Sequence, residues 1–248
     1  MLTSSDIDSR LRLMRRKLKT PLRWDEQCDG FAQALVLFVG PSPGTNPRDP
    51  PTRQPRRKAR CIALWNQTYS DPLGWGGGFR TSFKPFVEAL LSAPYARAGK
   101  VMARGNLDWY GNPEASKVPE ESMLQGAPSV LRMIADCKPD LVLPMEKKAF
   151  RVLRKALEKD GFTISECAVK EFVVRISNAA KVRQHREIYC FRATSPNGQE
   201  FVVIKLPQHP AKMLQADYGT RCGQAVRAAA QQIAAGRPVE VRVELEKN

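Results

Sequence analysis

The sequence predicts an α/β protein, a three-layer α/β/α sandwich around a mostly parallel central sheet. Three observations carry this expectation. Ala34-Leu35-Val36-Leu37-Phe38-Val39 and Leu141-Val142-Leu143 are continuous apolar runs, the pattern of strands buried on both faces. Other segments carry apolar residues at helical spacing, such as Phe83, Phe86, Val87, Leu90 and Leu91, or Ala149, Val152, Leu153 and Leu157. The two kinds of segment alternate along the chain, as strands joined by crossover helices do.

Taken in order, Ile7, Leu11, Met14 and Leu18 predict a basic amphipathic helix within residues 1–30, packed on a single domain spanning 31–248. The run at Ala34–Val39 ends in the turn Gly40-Pro41-Ser42-Pro43-Gly44. Residues 46–60 are rich in proline and in Arg53, Arg56, Arg57 and Lys58, so they read as a long surface loop rather than a helix or strand interior. A short strand is expected at Cys61–Trp65, then a turn-rich stretch containing Trp75, Gly76-Gly77-Gly78 and Phe79. Lys100–Ala103 reads as a strand leading into Arg104-Gly105-Asn106. A helix is expected around Val130–Ala135, and strands at Phe172–Ile176, Glu187–Ala193 and Glu200–Lys205. The last of these runs into Leu206-Pro207-Gln208-His209-Pro210. An Ala-rich helix, Gly223–Ala235, and an alternating edge strand, Val239–Leu245, complete the chain.

Charge is the least ordinary feature of the composition. Forty Lys and Arg against 25 Asp and Glu leave a net +15 over 248 residues. Such an excess concentrates polyanions at the surface, and DNA is the partner this predicts. The basic loop is then a phosphate-gripping element, the plain alternative being a solvated surface segment. No run of about eighteen apolar residues offers a membrane span. Met1–Asp8 has no secretory pattern, so a cytoplasmic location is expected. The six cysteines are scattered without a CxxC pair, and closely spaced thiolates are what zinc or an iron–sulfur cluster needs. No metal, no organic cofactor and a monomeric state are the expectations.

Four features fall in a particular order: Gly40-Pro41-Ser42-Pro43-Gly44 after the first buried strand, Asn106 after a middle strand, Pro139–Leu143 before a helix, and His209-Pro210-Ala211-Lys212 after a late strand. In that order they resemble the uracil-DNA glycosylase superfamily, over roughly Leu35 to Tyr218. The resemblance implies an enzyme that flips a base from DNA and hydrolyses its glycosidic bond. It implies that His209 donates to the base oxygen as negative charge develops there. Asn106 would read the base edge through its paired donor and acceptor. Gly40, Pro41, Pro43 and Gly44 would shape the pocket, and Phe79 or Trp75 would stack on the base. Lys212, Met213 and Leu214 follow the last motif, where relatives carry the side chain that fills the gap left by the flipped nucleotide.

The sequence departs from that pattern at the first motif, where relatives place an acid or amide to hold the attacking water. Here Pro41 and Ser42 occupy those positions, and a serine hydroxyl is a poor base at neutral pH. Asn46, Asn66, Asp49 and Asp108 are the alternatives for holding the water. Met145-Glu146-Lys147 also stands where relatives tend to have Leu-Gly-Lys. Small residues at Ser42 and Gly76–Gly78 suggest a roomy pocket, suited to a bulky modified pyrimidine such as some viral genomes contain. The expected activity is therefore monofunctional excision of a modified or damaged pyrimidine, in repair or in defence against phage. The rivals are a catalytically silent DNA-binding module of the same fold and a nucleotide-processing enzyme. A glycosylase that works through a lysine Schiff base has no desolvated lysine marked out in the sequence.

Overall fold

The computed structural model describes residues 22–25, 28–30, 34–42, 79–98, 101–108, 117–178, 181–185, 187–207 and 216–243, with Ser5 and Ser9 singly. Its strands are β1 Leu22–Asp25, β2 Cys28–Gly30, β3 Val36–Gly40, β4 Met102–Asn106, β5 Leu141–Pro144, β6 Thr163–Glu166, β7 Val169–Asn178, β8 Lys181–His185, β9 Cys190–Thr194, β10 Glu200–Ile204 and β11 Val239–Val243. Its helices, numbered in chain order, are α1 Phe79–Leu91, α2 Tyr95–Ala98, α3 Glu120–Cys137, α4 Lys147–Lys159 and α5 Ala216–Ala234.

The main sheet has eight strands in the order β1-β2-β4-β3-β5-β10-β9-β6. Its centre, β4-β3-β5-β10, is wholly parallel. The margins join by antiparallel pairs, so β2 and β9 alone run against the other six strands. The predicted sandwich is therefore present, and the reason is visible residue by residue. Val36 and Phe38 face one core with Leu141, Leu143, Val202 and Ile204, against α1 and α5. Leu37 and Val39 face the other with Val142, Phe201 and Val203, against α3 and α4. A strand covered by helices on both sides has no polar face to show, hence the unbroken apolar runs. A second sheet, β11-β7-β8, packs Phe172, Val174, Val239 and Val241 into the α1/α5 core.

Several elements differ from expectation. The sheet reaches into the segment read as an N-terminal appendage, since β1 and β2 pair with each other and β2 with β4. β6 and β8 are additional strands. α3 begins ten residues before Val130, and α5 begins at Ala216 rather than Gly223. α3 ends where Lys138 takes a left-handed conformation (φ 50°) and Pro139 follows. The basic loop at 46–60 and the strand expected at Cys61–Trp65 lie outside the described residues. So does all of the expected basic helix but Ser5 and Ser9, which are helical.

Candidate active site

All four central strands point their carboxyl ends to one edge, and the chain reverses its progress across the sheet there. From β3 it crosses to β4 on one side, then returns past β3 to β5 on the other. In open parallel sheets that reversal opens a crevice between the two strand ends, and ligands bind in it. The crevice lies between the ends of β3, with Gly40-Pro41-Ser42, and β5, with Pro144-Met145-Glu146. Topology alone thus selects the first motif.

Asn106 is brought to the same place. It is the register partner of Gly40 on the neighbouring strand. A Cβ built on Gly40 would fall 2.3 Å from Asn106 Oδ1, so the amide lies directly over the glycine. Only a residue without a side chain lets it do so. Beyond the strands the pairing continues: Leu107 N–H donates to Gly40 O at 3.0 Å and Asp108 N–H to Pro41 O at 2.9 Å. Pro41 is buried and Ser42 partly exposed.

Asp108 completes this cluster. It is 4% exposed, one of two buried polar residues among those described. The Ser122 hydroxyl of α3 donates to its Oδ1 at 2.9 Å. A polar side chain this buried needs hydrogen-bond partners, and the Ser122 hydroxyl is one that fixes it in place. Of the four residues considered for holding water, Asp108 is described and stands beside Pro41. Asn46, Asp49 and Asn66 lie outside the described residues.

A second polar cluster occupies the same edge on the α4 side. Lys147 Nζ donates to the Tyr189 hydroxyl at 2.6 Å and stands 4.4 Å from the ring centroid. The Tyr189 hydroxyl donates to Glu187 Oε2 at 2.6 Å. Lys205, the residue after β10, places its ammonium 5.7 Å from the same ring. Burial and the neighbouring Lys147 charge lower the Lys205 amine below its ordinary range, against the attraction of Glu187 and Glu146. Lys147 and Lys148 also open α4 with no acid in its first turn, which sets their charge against the helix dipole. Sequence reading missed this cluster because residues 147, 189 and 205 meet only through the sheet. Its one local signal was a lysine ending the apolar run Phe201–Ile204.

The remaining site residues divide simply. β10 carries the chain to buried Leu206 and Pro207 at the carboxyl edge, and Leu206 N–H donates to Pro144 O at 2.9 Å. His209, two residues further, is outside the described residues. So are Pro43, Gly44, Trp75, Arg53, Arg56, Arg57, Lys58, Lys212, Met213 and Leu214. Phe79 is the first residue of α1.

Among the described residues no group of three or more His, Cys, Asp or Glu could hold a metal ion, and no helix is long and apolar enough to cross a membrane. Compared with models of known protein families the chain matches none, and a search of curated proteins finds no match. The fold defines the class here: a three-layer α/β sandwich whose central parallel strands end together at one carboxyl edge.

Proposed function

We propose that this chain is a DNA glycosylase that excises a modified or damaged pyrimidine by hydrolysis. The observation that carries the reading is the seat of Asn106 over Gly40 at the switch point, with buried Asp108 alongside. An amide presents a donor and an acceptor together, which suits the edge of a base. A base must leave the duplex to reach such a crevice, and a surface with net charge +15 suits the DNA backbone that remains outside.

In this reading Asp108 takes the water-holding role that Pro41 and Ser42 cannot fill. The glycosidic bond breaks toward a cationic sugar, the bonding pair leaves with the base, and water adds to C1′ while giving up a proton. His209 stabilises the charge growing on the departing base. The buried Pro41 also favours a second reading, a silent DNA-binding module, since it stands where an acid is expected. Asp108 separates the two.

Single-turnover cleavage with three variants tests the assignment. His209→Ala is expected to slow base release by about 10²–10³, the usual loss for one transition-state donor, while DNA affinity holds. Asn106→Ala loses discrimination between bases as well as rate. Asp108→Asn loses rate alone. Normal cleavage by His209→Ala, or by Asp108→Asn, removes that residue's role. Binding without cleavage of any base by the wild type leaves the silent module as the answer.

A further inference from the structure

We propose that Lys205 forms a covalent imine with the ring-opened sugar of an abasic site in DNA. The inference rests on the glycosylase reading, since an abasic sugar is the product that reaction leaves at the carboxyl edge.

Lys205 is placed for this by its backbone and its surroundings. Its N–H donates to Tyr189 O at 2.9 Å and the next N–H, of Leu206, to Pro144 O at 2.9 Å, so the residue is pinned between β9 and β5. β5 alone separates β10 from β3, and two strand spacings of about 4.8 Å put its end roughly 10 Å from that of β3. The side chain is half-buried and shares the Tyr189 ring with the Lys147 ammonium. Desolvation and a neighbouring cation are the two ways proteins free a lysine lone pair for attack on a carbonyl, and Lys205 has both. Glu187 and Glu146 oppose them and do not reverse the outcome. A lysine kept only to cover a tyrosine ring has no need of a second ammonium beside it.

The step balances without a cofactor. The Nζ lone pair adds to the C1′ aldehyde carbon, and the carbonyl π pair moves to oxygen, which takes a proton. The carbinolamine then loses water and leaves an iminium, and addition of water reverses the sequence. No oxidation level changes.

Borohydride trapping tests the proposal on the intact protein, with duplex DNA carrying a chemically prepared abasic site. Reduction of the iminium is expected to give a protein–DNA adduct that requires both borohydride and the abasic site. Peptide mapping should place it on Lys205. Lys205→Arg, checked by thermal melting for a native fold, should lose the adduct. Lys147→Met removes the repelling charge, so the pH profile of trapping should move to higher pH, whereas Lys147→Arg should leave it in place. Absence of an adduct, or an adduct on any other amine, overturns the proposal. An unmoved profile in Lys147→Met overturns the activation argument. Because the abasic site is supplied ready-made, trapping is read independently of base release, and a failure of the imine is distinguishable from a failure of the glycosylase reading on which it rests.

Discussion

Gly40 and Gly223 obey the same geometric rule for opposite reasons. A Cβ on either would lie 2.3 Å from an oxygen. At Gly223, in α5, that oxygen is the backbone carbonyl of Phe86 in α1, with Ala89 Cβ and Leu90 N at 2.9 and 3.0 Å behind it. At Gly40 it is the tip of the Asn106 side chain, and the next atom is 3.5 Å away. Backbone cannot move aside, whereas an amide can rotate away. One glycine therefore lets two helices touch, and the other lets one side chain stand over a strand end. The first contact belongs to stability and the second to the site.

Substitutions at the two positions should separate accordingly. Gly223→Ala should force α1 from α5 and cost about 1–3 kcal/mol, as overpacking does. A domain this size loses about 2–4 °C of melting temperature per kcal/mol, so a fall of several degrees is expected, with the chemistry of the remaining folded protein unchanged. An unaltered melting curve would mean the helices are not held at that distance. Gly40→Ala should cost less than about 1 kcal/mol, because displacing the tip of a partly buried, rotatable amide is cheap, yet it should lose what Asn106→Ala loses in base discrimination. Combining the two should add little to either alone, since both remove the same placement of the amide. Additive losses would show that the contact is incidental.

Thiol chemistry sharpens the same contrast. Cys222, next to Gly223, is buried, and burial pushes its thiol up to about 12. It should resist alkylation in the native protein and become reactive in Gly223→Ala. Cys167 is half-buried and packs against the same core from its rim, where a hydrogen bond with Cys190 lowers its thiol. Among Cys137, Cys167, Cys190 and Cys222, Cys167 should be alkylated first, and labelling of Cys222 ahead of it would contradict the packing at Gly223. The smallest effect belongs to the exposed ion pairs of α4. Arg154→Ala, which removes contacts to Glu158 and Glu166, should shift stability by no more than about 1 kcal/mol in denaturant titration.

The sheet's centre was legible because strands buried on both faces must be apolar throughout, as Val36–Gly40 and Leu141–Pro144 are. Its margins were not. β1 reads Leu-Arg-Trp-Asp, and β6 is largely exposed, so neither carries a pattern of its own. Each is a strand because an antiparallel neighbour supplies its ladder, a tertiary effect that local propensity does not contain. The site divides along the same line. Gly40, Pro41 and Asn106 were readable because each ends a recognisable strand. Asp108 was one candidate among four, singled out by its burial against Ser122 and Pro41. Lys147, Tyr189 and Lys205 form a cluster only once β5, β9 and β10 lie near one another.

Release of free base is the measurement closest to the central claim. Duplex and single-stranded DNAs carrying uracil, damaged pyrimidines and bulky 5-substituted pyrimidines would be incubated with the intact protein, then treated with alkali to cut abasic sites. The account predicts cleavage at a modified pyrimidine by the wild type and loss of that selectivity in Asn106→Ala. No cleavage at any base, in protein that melts cooperatively and binds the same DNAs, would contradict it.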